Sequence, residues 1–402
     1  MINLETPRKF RAFVNQAHQV AAEMLRPNSR KYDLAEHAYP VELDLLAAMV
    51  DGLGASGTGS GAGASGVRRT TEAADGVVNG SNLSSVLSIM EMCWGDVGLL
   101  LSMPRQGLGN SAIASVASDE QLRRFEGVWA AMAITEPGCG SDSASIRTTA
   151  RLDGDSYVLD GEKIFVTAGG RCDAVVVWAT VDKSSGRAGI KSFVVPKGTP
   201  GMTVERLDHK LGIRASDTAT IRFENCRVPA ANLLGSPSVD ADKGFAGVMQ
   251  TFDNTRPLVA AMAVGVARAS LELTRELLAE AGVEVDYDRP VHLQPAAAAS
   301  YLAMEADWEA AYLLTLQAAW MADNGKPNSL QASMAKAKAG RTANDITLRC
   351  VELTGTLGYS EHHLLEKWSR DSKILDIFEG TQQIQQLIVA RRLLGKTSAE
   401  LK

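Results

Sequence analysis

The middle part of the chain, residues 129–240, has a different periodicity from the sequence on either side of it. Short apolar runs are separated there by turn dipeptides such as Asp153-Gly154 and Asp160-Gly161, a pattern that is typical of antiparallel strands. Residues 1–128 and 241–402 instead carry apolar residues at helical spacing and Ala-rich segments. Because 402 residues exceed the roughly 250–300 that one hydrophobic core usually supports, we predict three domains with these boundaries. They are an N-terminal helical domain, a middle β-barrel domain and a C-terminal four-helix bundle.

Several caps locate the helices more closely. Residues 296–322 follow Pro295, a residue favoured at the start of a helix. Both this stretch and residues 328–354 stop at a glycine. Residues 84–103 have the spacing of one long buried helix, and Ser118 is the predicted N-cap of the next. Long helices joined by short loops indicate an antiparallel bundle at the C-terminal end.

A Gly- and Ser-rich segment, residues 52–66, contains the formal pattern G-x-G-x-x-G at Gly52, Gly54 and Gly57. A dinucleotide-binding fingerprint requires a strand before this pattern and a helix that opens at its end. More glycine and serine follow instead, so we interpret the segment as a flexible loop.

The charge and the apolar runs argue against several classes of protein. A net charge of −6 and a pI near 5.7 indicate no basic surface for nucleic acid or acidic membranes. The longest apolar run, residues 257–267, is shorter than the about 20 residues that cross a bilayer. The N-terminus lacks the pattern of a signal peptide. We therefore expect a soluble, cytoplasmic protein without a membrane span.

The five cysteines show no CxxC pairing and are expected to be reduced thiols. Cys139 lies in a Gly-rich motif, where it is either a nucleophile or, as we prefer, a small residue that fills the loop. The pair His362-His363 has no acidic or thiol partner at ligand spacing, so we predict no metal site.

One carboxylate, Glu379, lies in an apolar segment near the C-terminus, residues 374–388. Loss of hydration in such surroundings raises the pKa of a glutamate above its ordinary value of about 4.3, which suits a general base. Gly380 has no Cβ, so a ligand can approach the backbone there. The alternative is a glutamate at a helix start that is stabilised by the helix dipole, and this segment alone does not decide between the two.

Several separated segments together resemble the acyl-CoA dehydrogenase family of flavoproteins, the medium-chain type most closely. They occur in that family's order and spacing from residue 90 onward: AITEPGCGSD at 133–142, DGEKIFVTAGG at 160–170, LGIRASD at 211–217, FDNTRP at 252–257 and DIFEGTQQIQQLIVAR at 376–391. The resemblance implies the same three-domain architecture, FAD as the cofactor, a tetramer, and oxidation of an acyl-CoA thioester in fatty acid metabolism. Glu379 would be the catalytic base, the β-hydrogen would leave as hydride to FAD, and an electron-transfer flavoprotein would take the electrons.

The resemblance also assigns residues to the two ligands. The flavin would be held by the first two segments and by two residues after the base: Ile134, Thr135, Gly140, Ser141, Phe165, Thr167, Thr381 and Gln383. The CoA thioester would be held by Ser141, Asp253, Arg256, Gly380 and Arg391. The backbone N–H of Glu379 and the ribityl hydroxyl of the flavin would both bond to the thioester carbonyl.

Three of the residues in these motifs have a second interpretation or exclude one. Phe165 stands where many relatives have Trp, and the alternative is a plain residue of the strand core. For Arg256, the alternative to binding the CoA thioester is a structural ion pair. Thr255 occupies the position at which some relatives carry the base, and a threonine cannot do that work, so the sequence leaves Glu379 as the base.

Two regions depart from the family in the half of the FAD site that a neighbouring subunit lends. Homotetrameric relatives supply Arg-x-x-Phe-Gly and Gln-x-x-Gly-Gly there, whereas this chain has Glu284, Asp286 and Asp288 in the first region and Glu352 in the second. A like-charge contact at about 4 Å costs on the order of 4 kcal/mol at an effective dielectric of about 20, so these acids oppose a pyrophosphate. We expect a heterotetramer in which a second acyl-CoA dehydrogenase-like chain supplies the missing half; the alternative is a loop that has drifted but still binds FAD.

Two other functions stay open from the sequence. An acyl-CoA oxidase would use the same chemistry and pass electrons to oxygen, although the chain is short for that class. A non-catalytic partner subunit would only stabilise a catalytic chain, yet Glu379, Thr167 and Thr381 are intact. The residues do not specify whether the acyl group is fatty, branched or bulky.

Overall fold

The computed structural model of the protein describes residues 6–53, 79–105, 107–239, 246–397 and Glu400. Within these ranges, no side chain is described for residues 49–53 and 246–254. The predicted Gly-rich loop lies outside the described residues from residue 54 onward, and its first two residues form the end of a helix.

The described N-terminal part is helical, as predicted. Its α-helices are α1 (Arg8–Val20), α2 (Ser29–Leu34), α3 (Glu42–Leu53), α4 (Ser81–Gly95), α5 (Val97–Leu100), α6 (Leu108–Val116) and α7 (Asp119–Arg124). Ser118 caps α7 as expected, because its hydroxyl accepts a hydrogen bond from the backbone N–H of Gln121. The Gln121 side chain accepts in return from the N–H of Ser118, which completes a capping box.

The prediction of one continuous helix over residues 84–103 is wrong, because the helix breaks at Asp96. The backbone of Asp96 is extended, and its carboxylate accepts a hydrogen bond from the N–H of Leu99 at 2.7 Å. It thereby caps the short helix α5. The same carboxylate binds Nζ of Lys367 at 2.7 Å in the interior. A buried polar cap therefore interrupts a stretch whose apolar spacing alone predicts continuity.

The middle part forms one sheet of seven strands within the described residues. The strands are β1 (Ala130–Ala133), β2 (Thr149–Asp153), β3 (Ser156–Thr167), β4 (Ala174–Thr180), β5 (Ile190–Pro196), β6 (Met202–Leu207) and β7 (Thr218–Pro229). Their order is β1-β4-β2-β3-β7-β6, with β5 paired to β4. The pairings are antiparallel, except that β4 runs parallel to β1 and β2.

Of the two predicted turns, Asp153-Gly154 does connect β2 to β3, whereas the turn at Asp160-Gly161 is wrong. β3 continues through Gly161, and a bulge shifts its register against β7 between Leu159 and Gly161. A Cβ on Gly161 would lie 2.5 Å from the hydroxyl oxygen of Thr148. The glycine therefore permits a close approach of neighbouring backbone rather than a reversal of the chain.

The described C-terminal part is again helical. Its helices are α8 (Ala246–Glu280), α9 (Ala296–Asp323), α10 (Ser329–Thr354), α11 (Thr356–Tyr359), α12 (Leu365–Leu375) and α13 (Gln382–Leu394). α10 ends at Gly355, whose φ of 56° is a left-handed value that glycine adopts without strain. The succession of helical, β and helical parts confirms the predicted fold class, and we propose domain boundaries near residues 128 and 240.

One described segment, Thr255–Glu280 in α8, is long and apolar enough to cross a membrane by length and composition. In its apolar window, 72% of the residues are buried inside the protein. Burial of this kind is the property of a core helix, and α8 accordingly contributes Ala260, Ala261 and Val264 to the helical core.

A buried ionic network joins the three parts of the chain. Lys367 on α12 lies 2.7 Å from a carboxylate oxygen of Asp96 and 2.5 Å from one of Asp371. Asp371 also accepts a hydrogen bond from the backbone N–H of Ile213 at 2.5 Å, in the segment after β6. Because these residues are buried and partnered, the network fixes α12 against both the N-terminal helices and the segment after β6.

Candidate active site

A cavity of about 1050 Å³ is lined by residues of the sheet and of the C-terminal helices. Ten of the residues predicted to hold FAD or substrate, or to act as the base, line it together: Ile134, Thr135, Gly140, Ser141, Phe165, Thr167, Arg256, Glu379, Gly380 and Arg391. They come from segments more than 200 residues apart in the sequence. The fold therefore brings the separate motifs to one place.

Glu379 stands in the turn between α12 and α13, and the turn is strained. The φ angle of Glu379 is 57° and that of Gly380 is 96°. The left-handed conformation costs a non-glycine residue about 1–2 kcal/mol. α12 ends at Leu375, and the Thr381 hydroxyl caps α13 by accepting a hydrogen bond from the N–H of Ile384. The turn is held between these two helix ends, and a strain of this kind persists only where the surroundings enforce it.

The carboxylate of Glu379 faces a hydroxyl and two cations. The hydroxyl of Thr255 donates a hydrogen bond to Oε2 of Glu379. Burial raises the pKa of Glu379 above its ordinary value. The Thr255 hydrogen bond and the positive charges of Arg256 and Lys336 lower the pKa, but burial outweighs them. The carboxyl group thus has the raised proton affinity that the sequence predicts for this residue.

Two buried side chains hold the turn from behind. Lys336 on α10 donates a hydrogen bond to the carbonyl of Gly380 at 2.7 Å. Gln385 on α13 donates to the carbonyls of Glu379 at 3.1 Å and of Gly380 at 3.2 Å. A Cβ on Gly380 would lie 2.3 Å from Nε2 of Gln385, so a side chain there would displace the Gln385 amide from the turn. Sequence reasoning missed Lys336 and Gln385, because an Ala-rich helix and a polar run both have the pattern of exposed residues.

The loop after β1 is organised by one buried carboxylate. Glu136 accepts hydrogen bonds from the N–H of Arg147 at 2.6 Å and from the N–H and hydroxyl of Thr148 at 2.9 and 2.6 Å. The ammonium of Lys163, which is fully buried on β3, lies 2.7 Å from the same carboxylate. Burial opposes ionisation of Glu136, but the charge of Lys163 and these hydrogen bonds hold its pKa below the ordinary value. This ion pair connects the two segments that line one side of the cavity.

Phe165 presents its ring to the cavity. Its side chain is 64% exposed, and its φ is 56° where a bulge shifts the register of β3 between Lys163 and Val166. The N–H of Ile164 donates to the carbonyl of Thr135 at 2.9 Å, which ties the bulge to the loop after β1. A ring with this exposure is not a residue of the strand core, so the site interpretation is the better account of it.

Three predicted residues are not seen on the cavity wall. Thr381 serves as the cap of α13 and Gln383 is exposed, and neither lines the cavity. The side chain of Asp253 lies outside the described residues. The roles assigned to these three stay predictions.

Cys139 is buried in the loop after β1. Burial and the neighbouring charge of Glu136 raise the pKa of its thiol. A thiol that resists ionisation is a poor nucleophile, so the structure favours the interpretation of Cys139 as a residue that fills the loop.

Basic side chains supply most of the charge on the cavity wall. Besides Arg256 and Arg391, the lining includes six cations that sequence reasoning missed: Arg187, Lys210, Arg370, Lys373, Arg392 and Lys396. They come from four segments, so no basic run marks them in a chain whose net charge is −6. A cluster of cations in a cleft attracts a polyanionic ligand.

Two family models match the chain, one over the middle β part and one over the C-terminal helical part. Residues 131–226 match the family model of the acyl-CoA dehydrogenase middle domain, and residues 242–394 match that of the C-terminal domain. The short-chain specific acyl-CoA dehydrogenase of Clostridium acetobutylicum is 33% identical over 326 residues, covering 79% of this chain and 84% of that protein. This chain belongs to the acyl-CoA dehydrogenase family.

Other relatives and solved structures agree. The mitochondrial short-chain specific acyl-CoA dehydrogenase of Mus musculus is 40% identical over 266 residues, or 65% of this chain, and the match spans 62% of that protein's length. Butyryl-CoA dehydrogenase from Megasphaera elsdenii superimposes with a TM-score of 0.81 at 28% identity, covering 98% of this chain and 100% of that one. A chain from a structure of the electron transferring flavoprotein of Acidaminococcus fermentans gives a TM-score of 0.79 at 31% identity, covering 98% and 99%.

FAD is the cofactor of this family, and the cavity fits a flavin. The exposed ring of Phe165 and the apolar side chain of Ile134 line one part of the wall, as a flat aromatic ligand requires. The hydroxyls of Thr135 and Thr167 lie on the same lining. A Cβ on Gly140 would meet nothing closer than 4.0 Å, so the protein's own packing does not explain glycine there and the backbone is open to a ligand.

Proposed function

We propose that this chain is an FAD-dependent acyl-CoA dehydrogenase with Glu379 as its catalytic base. The observation that carries the proposal is the position of Glu379, a carboxylate of raised proton affinity, on the wall of one cavity with the residues that fit a flavin. The role of each site residue is part of the proposal, because the family likeness alone does not test single positions.

Glu379 would remove the α-proton of the bound thioester. In the ionised state its carboxylate takes the proton, and the backbone N–H of Glu379 donates to the thioester carbonyl, where negative charge develops. FAD, when bound, would accept the hydride that leaves the β-carbon, and the product would be the trans-2-enoyl-CoA. Ser141, Arg256, Gly380 and Arg391 are the proposed contacts of the substrate.

Two features of the cavity support CoA as the substrate carrier. The cations on the wall complement its phosphates, because arginine and lysine bind phosphate oxygens with charge-assisted hydrogen bonds. Apolar side chains beside Glu379, among them Ile377 and Phe378, line the cavity and give it an apolar wall for the acyl group.

The test of activity is to supply the FAD-loaded protein with acyl-CoA thioesters of increasing length and branching and with an electron-transfer flavoprotein. We expect enoyl-CoA to form, detected by mass spectrometry as the loss of two hydrogens, together with reduction of the flavoprotein. Failure of every thioester in the panel, with flavin bound, would contradict the proposal. If the reduced flavin instead passes its electrons rapidly to oxygen and not to the flavoprotein, the protein is better described as an acyl-CoA oxidase.

We also propose a heterotetramer with a second acyl-CoA dehydrogenase-like chain. Glu284, Asp286 and Asp288, the acids that oppose a neighbour's pyrophosphate, are all exposed. Large apolar side chains in the two divergent regions are also exposed in the single chain: Tyr287, Val291, Leu293, Leu357 and Tyr359. Exposed apolar surface of this kind marks an interface between subunits, and the acids make a copy of the same chain a poor partner across the FAD phosphates.

The oligomer is tested by purifying the chain alone and together with such a partner, and measuring native mass and FAD per chain. We expect the pair to form a tetramer with two FAD, and the single chain to hold FAD poorly. A homotetramer with FAD in every subunit would contradict the proposal and support the drifted loop.

We place the protein in the cytoplasm, consistent with its bacterial relatives.

A further inference from the structure

Lys336 is a buried lysine that reaches the turn carrying Glu379. It lies on α10, its side chain is inaccessible to solvent, and its Nζ donates to the Gly380 carbonyl at 2.7 Å. The same face of α10 approaches the turn at Gly340, where a Cβ would lie 2.7 Å from the carbonyl oxygen of Leu375. α10 therefore packs closely against the turn, and Lys336 is the buried charged residue of this helix that bonds to the turn's backbone.

The charged groups that act on Lys336 come from the turn and from α8. Asp376 and Glu379, in the turn, favour its protonated form, and Arg256 on α8 opposes it. Burial is the largest influence and lowers the pKa of Lys336 to about 8. Lys336 therefore stays mainly protonated at neutral pH. Asp376 is itself shared with Arg341 at 3.9 Å and Lys373 at 3.7 Å.

We propose that Lys336 is a positioning residue for the reaction: its ammonium fixes the Glu379-Gly380 turn through the Gly380 carbonyl and places a positive charge behind the base. This inference rests on the proposed role of Glu379. The base must be ionised before it accepts the α-proton, and a cation fixed behind it favours that state. A buried lysine is costly to retain, and this one bonds to the backbone of the residue next to the base.

Gln385 offers a matched comparison, because it holds the same turn without a charge. Its amide donates to the carbonyls of Glu379 and Gly380 at 3.1 and 3.2 Å. A purely structural role for Lys336 predicts that losing either donor has the same kind of effect. A role that includes the charge predicts that only loss of Lys336 moves the pH at which Glu379 ionises.

The experiment compares Lys336→Met, Gln385→Met and the surface control Lys338→Met, whose ammonium pairs with Asp307. Each is measured for the pH profile of kcat/KM with one acyl-CoA, for flavin absorbance and for Tm. For Lys336→Met we expect the acidic limb to move to higher pH by about one unit, with the largest loss of activity at low pH. Gln385→Met should lower kcat without moving the limb, and Lys338→Met should match the parent protein.

Lys336→Arg keeps the charge and remains informative if the methionine variant does not fold. We expect its acidic limb to stay at the position of the parent protein even where kcat falls. Equal profiles for Lys336→Met and Gln385→Met, or a shifted limb in Lys336→Arg, would overturn the inference. Glu379→Gln is measured alongside: retention of its activity refutes the base itself, whereas its collapse together with an unmoved limb in Lys336→Met refutes only the role of Lys336.

Discussion

The hydroxyl of Thr255 on α8 donates a hydrogen bond to the carboxylate of Glu379, a residue 124 positions later in the chain. The family resemblance aligns Thr255 with the position at which some relatives carry the base. The structure shows that the two side chains are in contact, with Glu379 on the cavity wall and Thr255 buried behind it. In this chain the earlier position therefore supports the carboxylate instead of carrying it, because a hydrogen bond to the ionised form stabilises that form.

The first prediction is that Thr255→Val moves the acidic limb of kcat/KM to higher pH. The Thr255 hydrogen bond lowers the pKa of Glu379, so its loss leaves the base protonated over a wider range. A net hydrogen bond of about 0.5–1.5 kcal/mol corresponds to a loss of roughly two- to tenfold at low pH. Thr315→Val is the control, since that hydroxyl donates only to Ala311 of its own helix. An unmoved limb would show that the contact does not influence ionisation of the base.

The second prediction concerns stability and pH. Burial raises the pKa of Glu379 in the folded state above its value in the unfolded chain, so its favourable contribution is complete at low pH and is lost as pH rises through the folded pKa. Glu379→Gln should therefore be more stable than the parent protein at pH 8, by about 0.5–2 kcal/mol. The difference should vanish near about pH 4, the ordinary pKa of glutamate. Thermal unfolding at both pH values is the measurement, and an equal difference in Tm at both would contradict the assignment.

The third prediction separates packing from backbone strain at Gly380. Gly380→Ala introduces a Cβ at 2.3 Å from Nε2 of Gln385 on a residue with φ of 96°, so it should destabilise the protein by about 1–3 kcal/mol and lower kcat. Gly127→Ala is a matched control, because Gly127 has φ of 75° and nothing within 4 Å of its Cβ position. If the two variants lose equal stability and both keep kcat, the close packing behind the base is irrelevant.

The fourth prediction tests the ion pair beside the flavin cavity. Lys163→Met leaves Glu136 buried without its cation, which typically costs about 3–5 kcal/mol, and should weaken FAD binding because the loop after β1 loses its anchor. Arg227→Gln breaks the exposed pair with Asp153 and should change neither stability nor FAD affinity. Urea unfolding and flavin titration check both variants. Tight FAD binding by a folded Lys163→Met protein would rule out this role for the pair.

The residues that define the fold and the base are those whose local patterns carry the information. The change of periodicity near residues 129 and 240 predicts the helical, β and helical parts, and Glu379 is conspicuous as one acid among apolar neighbours. The interruption at Asp96 was not predictable from spacing, because it depends on a cap and on Lys367, which lies 271 positions away. Long-range partners of this kind leave no trace in a local window.

The same reason explains the missed parts of the site. Lys336 and Lys163 each have the composition of an exposed lysine in their own segments, and only the fold shows that both are buried against backbone carbonyls or a carboxylate. Gly161 has the sequence signature of a turn but lies at a bulge. A glycine is needed there because Thr148, on another segment, leaves no room for a Cβ. Local chemistry is therefore predictable here to the extent that its partners are local.

The central claim is that Glu379 removes the α-proton, and anaerobic rapid mixing tests it most directly. The FAD-loaded protein, together with its partner chain where one is needed, is mixed with a thioester that the parent protein oxidises, and the visible absorbance of the flavin is followed. We predict rapid bleaching in the parent protein and bleaching at least about 100-fold slower in Glu379→Gln, with substrate still bound. Bleaching of Glu379→Gln at the parent rate would contradict the account.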